Sequence, residues 1–237
     1  MNRDIGFILH QRDYRDTSKI LDCYTQSHGR FRGIARGIKS SKRSLKQNIQ
    51  PFQPLIIHWS QRGDLASIRE IESDGLMISL SGKRLMAGFY INEIILKIVP
   101  EDESDPALFG LYKTTLYDLP EQNWVSKLRS FEISILDFLG YLPSLEYEYL
   151  NYTPIETSKT YEFLPSDGFR ESLHKEDNKN YFNGDLIKRL SNLDLDSDPS
   201  LRLAKYIFDS VILSQSLSPS VNSRKVMRQL INLSKEF

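Results

Sequence analysis

The apolar positions of this chain change period part-way along. From Ile5 to Ile78 they fall in short segments, Gly6 to His10, Lys19 to Thr25, Arg30 to Ile38, Pro54 to Trp59 and Leu65 to Ile71, separated by turn-rich or charged residues. Runs of this length and spacing predict strands. In the third segment Arg30, Arg32, Ile34 and Arg36 share one face, and Phe31, Gly33, Ala35 and Gly37 the other, because successive strand side chains point to opposite sides. From Lys83 the apolar residues Leu85, Met86, Phe89, Tyr90, Ile94, Ile95 and Ile98 recur at three- and four-residue steps, which predicts an amphipathic helix ending before Pro100.

Further helices follow. Asp105-Pro106 is an N-cap with proline at the first helical position, opening a helix to Pro120. A third runs from Trp124 to Leu139, Asp198-Pro199 repeats the start signal before Leu203 to Ile212, and a last helix carries Val226, Leu230 and Leu233. Tyr147 to Tyr181 is tyrosine-rich and irregular, with a hairpin expected from Tyr161-Glu162-Phe163 through Asp167-Gly168 to Phe169-Arg170-Glu171. Five strands in about 75 residues with no room for crossover helices point to a small antiparallel barrel, for which the five-stranded oligonucleotide-binding (OB) type is the commonest solution, other five-stranded barrels staying open. The expected fold is thus an N-terminal all-β OB-type barrel over residues 1–80, then an all-α domain over 81–237 with an irregular, hairpin-bearing insertion at 147–181.

Composition narrows the class. The chain has 237 residues, 40% hydrophobic and 26% charged, enough for a core without staples. One cysteine, Cys23, excludes an internal disulfide and a multi-cysteine zinc site. Apolar stretches such as Leu55-Ile56-Ile57 fall far short of the roughly 18 residues a membrane span needs, and no signal-like block follows Met1, so a cytoplasmic location is expected.

The zero net charge hides an asymmetry. Up to Arg84 there are 15 Lys and Arg against 8 Asp and Glu, a net of +7; the remainder holds 16 against 23, a net of −7. No acidic residue lies between Asp22 and Asp64. Such segregation points to an anionic partner for the first third, against the plainer reading of a solvated face balanced by the acidic half.

Enzyme signatures are missing. Gly82-Lys83 lacks the first glycine and the hydroxyl of a phosphate-binding loop, and neither a Gly-x-Ser-x-Gly elbow nor a dinucleotide fingerprint is present. His10, His28, His58 and His174 are dispersed, with no helical pair spaced for a metal, so packing in the core or exposure to solvent accounts for them and no cofactor is expected. Glu101, Asp102, Glu103 and Asp105 read as a solvated interhelical loop, with a cation site, and an enzyme built on it, as the rival.

Single-stranded nucleic acid is held by cations that replace phosphate counterions and by aromatic faces on which bases stack. The front of the chain supplies both. Arg12, Arg15, Arg30, Arg32, Arg36, Lys39, Lys42, Arg43 and Lys46 are the candidate DNA-binding cations, the last four on a basic loop, and Tyr14, placed in the turn after the first strand, is the stacking candidate. Phe31 lies opposite the arginine face and reads as core. Phosphate contacts carry little base specificity.

These residues resemble the RecO recombination mediator proteins of bacteria. The likeness rests on Phe7-Ile8-Leu9-His10 with Tyr14-Arg15-Asp16-Thr17-Ser18, Gly29-Arg30 with Ala35-Arg36-Gly37, Gln50-Pro51-Phe52-Gln53-Pro54-Leu55, Gly88-Phe89-Tyr90-Ile91-Asn92-Glu93, Leu128-Arg129-Ser130-Phe131-Glu132 with Leu139-Gly140-Tyr141, and Ser223-Arg224 with Arg228-Gln229. The resemblance implies an OB barrel followed by a helical domain. It also implies binding of single- and double-stranded DNA, strand annealing, and help to RecA in replacing single-strand-binding protein, together with RecR. It places the protein in the bacterial cytoplasm, at the nucleoid when DNA-bound. Many family members carry four zinc-binding cysteines in the region matching Asn151 to Leu173, where this chain has none, so Tyr152, Tyr161 and Phe163 are expected to supply packing instead. The acidic tail of single-strand-binding protein calls for an apolar pocket edged by a cation, for which Arg129 is the candidate. The alternative reading is an RNA-binding OB-fold protein of translation or ribosome assembly.

Overall fold

The computed structural model describes residues 1–36, 49–61, 63, 65–172 and 180–214, which group into two compact units, one within Met1–Pro120 and one within Glu121–Pro219. The basic loop from Lys39 to Lys46 and the expected last helix lie outside the described residues.

In the first unit β1 (Asn2–Tyr14), β2 (Ser18–Thr25), β3 (Gly29–Ala35), β4 (Leu55–Ser60) and β5 (Ala66–Ser73) close into a barrel in the order β1-β2-β3-β5-β4, with β4 returning to β1. Every pairing is antiparallel except β3 with β5, the parallel pair that closes the barrel. The interior holds Leu21, Cys23, Phe31, Leu55, Ile57 and Trp59 among others, with Phe31 stacked on Trp59 at 4.4 Å and 21°. The alternation read along β3 is therefore realised: Phe31, Gly33 and Ala35 are buried, while Arg32 and Arg36 are exposed.

Two β-bulges decide which side chains leave the barrel. A bulge inserts one unpaired residue and so reverses the in-out phase beyond it. In β1 the register steps from Ile8–Cys23 to His10–Asp22, leaving Leu9 out of the ladder. Without that step His10, Arg12 and Tyr14 would continue the inward phase of Ile8. In β5 the register passes from Trp59–Ile68 to His58–Glu70, so that Arg69 is the extra residue and Glu70 and Glu72 are both exposed.

The unit also contains α1 (Gly82–Ile98) and α2 (Pro106–Asp118). Asp105 caps α2, its carboxylate accepting from the amides of Ala107 at 2.8 Å and Leu108 at 3.0 Å, with Pro106 next in sequence. Phe109 and Tyr112 of α2 meet Phe7 and Tyr24 of the barrel in an aromatic cluster, with edge contacts of 5.3 Å for Tyr24–Phe109 and 5.4 Å for Phe7–Tyr112. From α1, buried Asn92 donates through Nδ2 to the Leu9 carbonyl at 3.1 Å and accepts from the Tyr112 hydroxyl at 2.9 Å. Helix, bulge and second helix share one buried amide.

The second unit comprises α3 (Trp124–Phe138), β6 (Thr160–Leu164), β7 (Gly168–Ser172), β8 (Tyr181–Asn183), α4 (Gly184–Ser191) and α5 (Asp198–Ser214), the strands forming an antiparallel sheet in the order β7-β6-β8. The expected hairpin is β6–β7. The strand β8 and helix α4 go beyond the elements the sequence pattern predicts, because three residues and eight residues are too short for a period to declare itself. At the start of α5 the capping group is Ser197, whose Oγ accepts from the Ser200 amide at 3.4 Å, so Asp198 stands in the first turn instead of at the cap. Phe131 and Ile135 of α3 and Leu203, Ile207 and Val211 of α5 are fully buried, as are Tyr161, Phe163 and Phe169 of the sheet to within 1%.

Candidate nucleic-acid interface

Along the outer side of β1, β2 and β3 the register aligns His10 with Asp22 and Arg32, and Arg12 with Ile20 and Ile34. The bulge at Leu9 thereby brings Arg12 and Tyr14, from one strand, to the side already occupied by Arg32, from another. Arg12, Arg32 and Arg36 are exposed. Tyr14 is the last residue of β1, paired with Ser18, and so belongs to the strand and not to the turn. The Arg15 guanidinium lies 5.3 Å from its ring centroid, a cation–π pairing at the hairpin end.

The three arginines of β3 are not equivalent. Arg32 Nε is 3.1 Å from Glu101 Oε1 in a half-exposed ion pair, the kind worth at most about 1 kcal/mol and readily exchanged. Arg30 is half-buried and donates through Nε to the Val99 carbonyl at 2.7 Å, while its own carbonyl accepts from the Asp102 amide at 2.8 Å. Burial pulls its guanidinium below the ordinary value, with Glu101 and Asp22 pushing the other way. Arg30 therefore clamps the segment after α1 to the barrel. Two members of the acidic cluster are committed in the same way: Glu101 to Arg32, Asp105 to the α2 cap. Lys39, Lys42, Arg43 and Lys46 lie outside the described residues.

Arg129 sits on α3 and pairs with Glu132 one turn on; the Glu132 side chain is fully buried and that of Arg129 is 13% exposed. A cavity of about 350 Å³ in the same unit is lined by Ile133, Leu142, Leu145 and Leu190, with Asp137 and Glu146 as its charged residues and without Arg129. Its charged lining is acidic, unlike a receptor for an acidic tail.

Where the resemblance places cysteines, the chain around residues 147–155 is organised by a carboxylate. Buried Glu148 accepts from the amides of Leu150 at 3.1 Å and Asn151 at 2.5 Å. Burial alone would raise its pKa, but these amides and Thr153 outweigh it and the net shift is downward. The residues there do not form a zinc-cysteine site. Tyr161 and Phe163 pack as expected; Tyr152 is 72% exposed, stacked on Tyr147 at 4.7 Å.

Residues 1–75 match the family model for the N-terminal part of recombination protein O, and residues 80–215 match that for its C-terminal part. The chain belongs to the RecO family. A DNA repair protein RecO of Coxiella burnetii (strain RSA 331 / Henzerling II) is 34% identical over 204 residues, 85% of this chain and 87% of that one. That of Pectobacterium atrosepticum is 34% identical over 236 residues, covering 97% and 95%, and that of Actinobacillus pleuropneumoniae 31% identical over 229, covering 95% and 94%. Two RecO motifs gain a physical reason here. In Gly88-Phe89-Tyr90-Ile91-Asn92-Glu93, a Cβ on Gly88 would lie 2.7 Å from the Phe52 ring, and Asn92 is the shared buried amide. In Gly29-Arg30, Gly29 has φ +66° and a Cβ there would stand 2.0 Å from the Glu103 carbonyl oxygen.

Proposed function

We propose that this RecO-family chain binds single- and double-stranded DNA on the outer side of β1–β3, anneals complementary strands, and with RecR helps RecA replace single-strand-binding protein. The supporting observation is the alignment of Arg12 and Arg32 with the Tyr14–Arg15 stack on the outer side of one curved sheet, with exposed Arg36 directly after β3. Guanidinium groups held there neutralise phosphates, and the Tyr14 ring face opposite Arg15 takes a base. Annealing then needs no catalytic residue: lowering the repulsion between two phosphate backbones while leaving base edges free raises the chance that matching stretches nucleate. On this reading residues 1–80 serve nucleic acid, residues 81–237 serve protein partners, and the protein works in the cytoplasm, at the nucleoid when DNA-bound. Docking of the single-strand-binding protein tail near Arg129 is supported by family membership and the Leu128-Arg129-Ser130-Phe131-Glu132 motif.

The test is binding to a labelled 30-nucleotide single strand across a salt series. Arg12→Ala/Arg32→Ala/Arg36→Ala should flatten the slope of log affinity against log salt by about 2, at about 0.7 per lost phosphate contact. Arg30 is left in place because of its structural bonds. An unchanged slope, or tighter binding of structured RNA than of the single strand, would overturn the proposal.

A further inference from the structure

The outer surface of β4 and β5 carries a group that DNA binding does not use. His58 of β4 lies opposite Glu70 of β5, and Glu72 lies two residues further along the same strand. Because of the bulge at Arg69 the two glutamates emerge on the side of the sheet that bears His58. One donor atom from each of the three lies within 4.8 Å of the other two. His58 Nε2 is shielded from solvent, stands 3.1 Å from Glu72 Oε1, and makes no hydrogen bond. The pair is close enough for an ion pair but not aligned as a hydrogen bond, and the ring nitrogen, shielded from water and next to two exposed carboxylates, is placed to share a cation with them.

We propose that His58, Glu70 and Glu72 form a divalent transition-metal site of the zinc class, with three protein donors and a fourth position left to water. One imidazole nitrogen with two carboxylate oxygens is a donor set zinc accepts, whereas magnesium and calcium take oxygen donors throughout. Zinc bonds of about 2.0–2.1 Å in a tetrahedron require donors about 3.3 Å apart. The donors already lie within 4.8 Å of one another, and both glutamates are exposed. The ion's two positive charges offset the two carboxylates, and the three bonds tie β4 to β5 across the bulge. Arg3, opposite His58 on β1, is the competing cation at this surface.

The full chain, stripped with a chelator, is titrated with ZnCl2 by calorimetry and with CoCl2 by visible absorption. One equivalent of Zn²⁺ should bind and displace Co²⁺ from a site with a tetrahedral spectrum. His58→Gln should weaken binding at least about tenfold, the low end of what loss of even an outer-shell partner costs. Glu70→Gln/Glu72→Gln, which alters only exposed positions, should do the same while far-UV circular dichroism stays unchanged, so the test stands even if His58→Gln misfolds. Absence of saturable binding overturns the proposal. So does binding that persists in both variants, which would place the ion at His10–Asp22 or His28–Asp4 instead.

Discussion

Asn92 offers a quantitative test of how the first helix is held to the barrel. Its orientation is forced, because the Leu9 carbonyl only accepts; Nδ2 must face Leu9 and Oδ1 the Tyr112 hydroxyl. Asn92→Ala strands both partners in a site that is 2% exposed, and each buried polar group left unpaired costs about 1–3 kcal/mol. A loss of about 2–6 kcal/mol follows. Tyr112→Phe strands only Asn92 Oδ1 and should cost about 1–2 kcal/mol. In the Asn92→Ala background the same change removes a hydroxyl already without its partner, so it should be neutral or stabilising, giving a coupling of at least about 1 kcal/mol. The assay is urea unfolding of the full chain and its three variants, with hydrogen exchange of the β1 amides assigning the transition to the first unit. A cost for Asn92→Ala below about 1 kcal/mol, or additivity within about 0.5 kcal/mol, would refute the reasoning.

Other outcomes follow from single contacts. Gly29→Ala should lower stability by more than about 2 kcal/mol in the same urea assay, since a left-handed φ and a 2.0 Å approach to a backbone oxygen leave no room for Cβ. Glu148 has a folded pKa below its unfolded value near 4.5, so its stabilisation is present above that pH and disappears as the pH falls through the folded value. Acid unfolding followed by hydrogen exchange in the second unit should therefore lose part of its pH dependence in Glu148→Gln. Cys23 is fully buried and its thiol is pushed up, chiefly by that burial and further by Asp22, so a thiol reagent should label the native chain only at its rate of unfolding. Glu101→Gln releases Arg32 and should raise single-strand affinity several-fold at low salt, with little effect on stability.

What could be read from the residues alone was whatever depends on near neighbours. The β3 alternation, the Asp105-Pro106 cap, the long helices and the Asp167-Gly168 hairpin are set by local geometry and by which face must leave water, and these declare themselves in the order of residues. The family motifs were visible too, although not the reason for them: Asn92 matters because of a carbonyl 83 positions earlier in the chain. Bulges defeated periodicity. One unpaired residue in β1 put Arg12 and Tyr14 beside Arg32, and one in β5 turned Glu70 and Glu72 toward His58. Neither step leaves a mark in composition, because a bulge belongs to the pairing of two strands and not to either alone. Likewise nothing local separates Arg30, clamped to Val99, from Arg32, two residues on, exposed and ion-paired with Glu101. Charge and period specify which surfaces exist; strand register, decided only when distant segments pair, selects which side chains share them.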